Sequence, residues 1–192
     1  DFNKKLGDLT EKINLIKSLK NYKILSISED LKKRLDEFNL DNELIEFNLV
    51  DKKLFKPIKN KGSKIFVYNG RCKKEDNFKI YNQELINKVV EKLPEYEFIY
   101  SQDLNVPYEK MPEIYSECFM GLRLTEHDGN ANMVQEMEAM NIPVIHNHSD
   151  YGLKWKNEND IIDKVEKITS KNIFNIFNIF NVKNSKILIV VD

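Results

Sequence analysis

Apolar residues recur along this chain with two alternating periods. Leu9, Ile13, Ile16 and Leu19 keep helical spacing, and Lys23–Ser28 then reads as a short strand. Ser28 is placed to cap a following helix, with Glu29 and Asp30 in its first turn and Leu31, Leu35 and Phe38 as a narrow apolar stripe. A second short strand is expected over Leu44–Val50, and Pro57 with Lys59–Ser63 makes a polar, hinge-like connection. The pattern restarts at Lys64. Lys64–Tyr68 is a β-rich run ending at Asn69-Gly70, and Gln83–Leu93 is an amphipathic helix that turns Leu85, Ile86, Val89, Val90 and Leu93 inward. Strand Tyr96–Tyr100, helix Pro112–Cys118, strand Phe119–Leu124, helix Asn132–Met140 and strand Pro143–His146 follow. A helix over Asp160–Ile168 then buries Ile161, Ile162, Val165 and Ile168. Such alternation predicts an α/β fold, a Rossmann-like parallel sheet with helices on both faces and ligands at the carboxyl ends of its strands.

The end of the chain breaks this rhythm. Asn172–Asn181 repeats Asn-Ile-Phe with a period of three, which matches neither a strand nor a helix and looks low in complexity. Its apolar content is compatible with a helix lying over a sheet face or groove. Lys186–Asp192 reads as a buried strand.

Composition narrows the classes. With 192 residues and 41% hydrophobic content the chain can bury one core, or one domain and part of a second. Thirty basic residues against thirty-one acidic ones give a formal charge of -1, so no global field recruits nucleic acid or an anionic membrane, and any phosphate binding must be local. Cys72 and Cys118 fit neither a disulfide framework nor a metal spacing, which suits small buried hydrophobes in a reducing, cytoplasmic compartment. No apolar run approaches the roughly twenty residues of a membrane span.

The candidate chemistry gathers around Thr125–Ile145. Asp128 and Glu136 bracket a loop-to-helix junction, in which Gly129 permits close backbone approach and Asn130–Asn132 open a helix whose first amides lack partners. On a helical wheel Met133, Val134, Met137 and Met140 form the buried face, with Glu136 on one flank and Glu138 on the other, so periodicity does not choose between the two acids. Asp128 and Glu136 also suit a plain acidic helix start with a solvated acid inside it. Arg71, Lys73 and Lys74 suit either phosphate binding or a solvated charge run after a strand, and Arg123 is either a strand residue on the polar side or a phosphate contact. His127, His146 and His148 with Glu126 and Asp128 offer metal-ligand chemistry without a fixed spacing, and His127 or His146 is better suited to lining a ligand pocket. Tyr151 and Trp155 suit stacking on a base or sugar, or packing in a core or lid. No Gly-x-Gly-x-x-Gly follows any strand, which argues against a dinucleotide-binding oxidoreductase.

Asp128-x7-Glu136, with Pro143-Val144-Ile145 beyond it, resembles the acid-x7-acid motif of retaining GT-B glycosyltransferases, usually Glu-Gly-Phe-Gly, four residues, then Glu-Ala-Met-Ala-x-Gly-x-Pro-Val-Ile. Thr125 stands where the family has a small hydroxyl residue. Tyr68-Asn69-Gly70-Arg71 is similar to its strand ending in Gly-Arg, while Ile27–Lys32 and Asn48–Asp51 with Phe55-Lys56-Pro57 resemble the end of the acceptor-side domain and the crossover. The likeness covers roughly residues 23 to 168.

The resemblance implies residues 1–57 as an acceptor-side remnant and crossover, 58–170 as the donor-binding domain of the GT-B pair, and 171–192 as a tail. It implies transfer of a sugar from a nucleoside diphosphate sugar to a hydroxyl of a glycan, lipid or protein, with retention and without a metal or other cofactor. Glu136 rather than Glu138 then binds ribose hydroxyls, and Asp128 contacts hydroxyls of the donor sugar. The amides of Gly129, Asn130 and Ala131 approach the sugar or diphosphate, and Arg71 with Lys74 neutralises the leaving diphosphate. In the family the Lys lies about five residues after the Arg, where this chain has Asp76, so Lys74 is the assignment of nearest fit. About fifty residues before the crossover are too few for a full acceptor domain, so further domains of the same polypeptide are expected. A nucleotide-binding or scaffolding module without transfer activity is the alternative from another class.

Overall fold

The computed structural model describes residues 9–45, 50–59, 61–70, 75–125, 128, 131–147 and 152–183. The chain opens with helix α1 (Leu9–Ser18), strand β1 (Ile24–Ser26), helix α2 (Glu29–Glu37) and strand β2 (Asn42–Leu44). Ser28 caps α2 as expected, its hydroxyl accepting from the Leu31 amide at 3.2 Å. β1 and β2 pair in parallel, with Ser26 and Leu40 buried beside them. One expectation shifts here. The second strand lies at Asn42–Leu44 rather than over Leu44–Val50, of which residues 46–49 fall outside the described residues. Leu31 and Phe38 of the stripe are exposed, as are Leu15, Leu19 and Leu25, although α2 packs against both strands.

The main sheet has β3 (Lys64–Val67) at its heart, followed by helices α3 (Glu75–Ile80) and α4 (Gln83–Glu91), then strand β4 (Phe98–Tyr100). Short 3-10 turns at Ser101–Asp103 and Tyr108–Lys110 lead into helix α5 (Met111–Ser116) and strand β5 (Cys118–Leu122). Helix α6 (Asn132–Ala139), strand β6 (Val144–Ile145) and helix α7 (Glu158–Lys183) complete the described chain. The four strands run parallel in the order β4-β3-β5-β6. The expected mixed α/β architecture with a parallel sheet is therefore present, and its strands begin or end within a few residues of the apolar runs that predicted them.

Alternation along β3 divides the core. Ile65 and Val67 point to one face, where they meet Ile86 and Val89 of α4 and Ile161 and Val165 of α7. Phe66 points to the other, against Tyr115 of α5 and Val134 and Met137 of α6, and Phe55 from the connecting segment joins that side. Helices therefore cover both faces. This explains why the strands read as continuous apolar runs and not as alternating ones.

The tail behaves differently from its pattern. α7 continues through the Asn-Ile-Phe repeats to Lys183, the helix that their apolar content left open, so the period of three does not interrupt it. Asn157 opens it, its side chain accepting from the Asp160 amide at 3.1 Å. The strand expected over Lys186–Asp192 lies outside the described residues. No helix among the described residues is long and apolar enough to cross a membrane.

Two glycines set close approaches. A Cβ at Gly121 would lie 2.7 Å from Met137 Sδ and 2.8 Å from Met133 Cε, so its absence lets α6 settle onto β5. A Cβ at Gly62 would lie 1.8 Å from the carbonyl oxygen of Glu117, just where Gly62 N donates to Ser116 O at 2.9 Å. The obstacle is backbone, which cannot move aside as a methionine can. Gly62→Ala is therefore expected to destabilise the fold by roughly 1–3 kcal/mol, read as a lower urea midpoint with unchanged slope; an unchanged midpoint would contradict this packing.

Candidate functional site

A parallel sheet forms a crevice where connections leave two adjacent strands in opposite directions. Here that point lies between β3, whose chain goes out to β4, and β5, whose chain goes out to β6 on the other side. Tyr68 follows β3 and Arg123 follows β5, and the Tyr68 amide donates to the Leu122 carbonyl at 2.9 Å. Both residues line a cavity of ≈ 500 Å³, within the usual range for small-molecule sites. Ala131, Asn132 and Met133 at the start of α6 line it too, as does Glu136 one turn further on.

Glu136 is the most demanding group in this cavity. It is 4% exposed, and burial of a carboxylate is costly unless its hydration is replaced. Two phenols supply that replacement: Tyr108 donates to Oε1 at 2.9 Å and Tyr115 to Oε2 at 2.9 Å. Burial pushes the Tyr108 hydroxyl up to about 12, helped by its bond to Glu136, and burial with the nearby Glu136 charge raises Tyr115 well above the ordinary tyrosine value. The tyrosines lie seven residues apart, on a 3-10 turn and on the helix that continues it, so two turns bring both to one side.

Arg123 is the second charged group. Its Nε donates to Asp128 Oδ2 in a close ion pair, each side chain being 12% exposed. The guanidinium lies 4.2 Å from the Tyr68 ring centroid and 5.9 Å from that of Tyr81. Burial opposes the charge, but the bond and attraction to Asp128 outweigh it and raise the Arg123 pKa. Thr125 adds a long 3.5 Å contact from its hydroxyl to the same Asp128 oxygen. Ala131, the N-cap of α6, makes no side-chain cap bond, and no acid stands in the first turn, so the helix start that lines the cavity leaves its first amides without a side-chain partner there.

The expected site residues therefore separate into three sets. Glu136 and Ala131 line the cavity. Asp128 does not line it, and instead grips Arg123, which does. Arg71, Lys74, Gly129 and Asn130 lie outside the described residues, as do Lys73, Glu126, His127, His148 and Tyr151. His146 does not line the cavity: it is fully buried behind β6, with Nδ1 3.2 Å from the Arg123 carbonyl oxygen. Trp155 packs against the α4 and α7 side of the core, and its backbone amide donates to Asn147 Oδ1 at 2.8 Å. Glu138 also has a partner, accepting from the Gly152 amide at 2.7 Å. No cluster of three His, Cys, Asp or Glu side chains suited to a metal occurs among the described residues.

Sequence patterns did not indicate Tyr108 or Tyr115. Their spacing of seven was the available signal, obscured by Pro107 and Pro112, which break the apparent helix. No family model and no curated protein matches the sequence.

Tyr115→Phe removes one donor from a buried carboxylate and is expected to cost roughly 1.5–3 kcal/mol near neutral pH. The raised tyrosine values also fix a pH window. Their contribution to stability is whole below the ordinary value of 10.0, and for Tyr108 it is lost as pH rises through about 12. Denaturant titrations of both proteins from neutral to strongly alkaline pH should therefore converge as pH rises; a constant gap would count against this hydrogen-bonded pair.

Proposed function

We propose that the chain carries the donor-binding half of a retaining GT-B-type glycosyltransferase, and that the cavity between β3 and β5 receives a nucleoside diphosphate sugar. The observation that carries this proposal is Glu136: a buried carboxylate at the wall of a cavity at the sheet's reversal point, one turn inside an uncapped helix start. A carboxylate there suits the hydroxyls of a ribose, and the amides of Asn132 and Met133 with the Arg123 guanidinium suit the diphosphate. Phe66, Tyr68, Leu104 and Val106 supply apolar walls.

On this view each residue has a distinct task. Glu136 orients the nucleotide through its sugar. Arg123 offers fixed positive charge where a departing diphosphate gathers negative charge, which lowers the barrier without reorganisation at the moment of transfer. Asp128 holds Arg123 in place, in addition to the contact with donor-sugar hydroxyls that the resemblance implies. Arg71 and Lys74 remain the further cations proposed for the phosphates, and Gly129, Asn130 and Ala131 the backbone neighbours of the donor. The acceptor hydroxyl belongs to a glycan, lipid or protein approaching from a second domain, in a cytoplasmic setting. The proposed chemistry uses no metal.

Calorimetry with a panel of nucleoside diphosphates and their sugars tests the proposal. Glu136→Ala is expected to weaken nucleotide binding by roughly 1–3 kcal/mol, the range for charged hydrogen bonds. Glu138→Ala is expected to leave affinity intact while loosening the turn at Gly152, whose amide it accepts. Equal losses of affinity from the two substitutions, or no binding of any nucleotide by the wild-type chain, would defeat the assignment.

A further inference from the structure

We propose that Tyr108 is a hydroxyl stand-in, its phenol holding the place on Glu136 that a sugar hydroxyl of the ligand takes on binding, so that this residue sets how strongly a hydroxyl-bearing sugar is preferred. The inference rests on the nucleotide-sugar function proposed above and adds a specificity-determining residue to the same cavity.

The two tyrosines on Glu136 are chemically alike but mechanically different. Tyr115 is 2% exposed, sits on α5, and is wedged between Phe66, with ring centroids 5.0 Å apart, and Phe55 at 6.1 Å. It has no room to leave. Tyr108 is 46% exposed, belongs to a three-residue 3-10 turn behind the Leu104–Pro107 loop, and among the described residues has a single ring neighbour, Phe55 at 5.5 Å. Releasing it forfeits little packing.

Access to the carboxylate is the second observation. Glu136 lines the cavity yet is only 4% exposed, with a phenol on each oxygen. A hydroxyl arriving from the cavity therefore reaches Oε1 by replacing Tyr108, while Tyr115 keeps the carboxylate oriented through Oε2. The exchange is donor for donor, so it returns little net energy in the native protein. A ligand without the hydroxyl leaves the Tyr108 bond as it was.

This asymmetry gives opposite signs to two conservative substitutions. With the competing phenol gone, Tyr108→Phe is expected to bind ribonucleoside diphosphates about tenfold more tightly and to bind their 2′,3′-dideoxy counterparts unchanged. Tyr115→Phe is expected to weaken the ribonucleotides. Calorimetry with ADP, GDP and UDP and the matching dideoxynucleotides measures all three. Wild-type binding with Tyr108→Phe equal to or weaker than wild type overturns the stand-in and leaves the nucleotide function standing. Binding by Tyr108→Phe alone supports it. No binding by either protein overturns both.

The wild-type chain provides a check without substitution. Ultraviolet titration in saturating ribonucleotide should show one tyrosine ionising at lower pH than in the free protein, because the phenol has left its enclosed place beside Glu136. An unchanged titration in the presence of bound nucleotide overturns the proposal.

Discussion

A carboxylate loses many kcal/mol of hydration when it is enclosed, and Glu136 recovers that loss only if donors are held ready on both of its oxygens. Tyr108 and Tyr115 are those donors. Each needs a support of its own. Tyr115 depends on Phe66 of β3 and on Phe55, which makes the connecting segment part of the same packed face. Glu136 depends on α6 lying close against β5, which Gly121 permits by leaving room for Met133 and Met137. The position of one oxygen pair thus draws on three helices or turns and two strands.

Arg123 repeats the logic with opposite charge. A guanidinium as buried as this one requires a carboxylate beside it, and Asp128 provides one, while Tyr68 offers the negative face of its ring. The sheet decides where these charges stand. Because β3 and β5 are neighbours whose connections diverge, their carboxyl ends open onto space that no crossover fills. Tyr68 and Arg123 emerge there, and the start of α6 closes the same space from the β5 side.

Much of the main sheet was legible because strands enclosed on both faces must be apolar throughout. Ile65, Phe66 and Val67 announce β3, and Ile86 with Val89 announces the helix over it. Glu136 was singled out by its distance from Asp128 and Pro143, and it lines the cavity, but its burial was not legible: Gln135 and Glu136 are enclosed along with Met133, Val134 and Met137, so no wheel drawn on hydrophobicity could place them. Tyr108 and Tyr115 escaped notice because hydrogen-bond partnership leaves no periodic trace, and a 3-10 turn feeding a short helix blurs spacing. The Asn-Ile-Phe tail offered a helix through its apolar content alone. A period of three is near enough to 3.6 for a helix to continue, and α7 does so. The exposed stripe on α2 shows the converse, since periodicity identifies a face and not what covers it.

Two acids at a fixed spacing suggest equal partners, yet their surroundings give them unlike work. Asp128 is bound directly to a cation that lines the cavity, so its charge is already matched and it fixes where Arg123 stands. Glu136 is surrounded by neutral phenols, which share its hydrogen bonds without cancelling its charge. The neutral partners on one acid and the charged partner on the other therefore give the cavity two chemically different walls, a carboxylate held by phenols at Glu136 and a paired guanidinium at Arg123. That difference arises from the environments built around the two side chains and would vanish if their partners were exchanged.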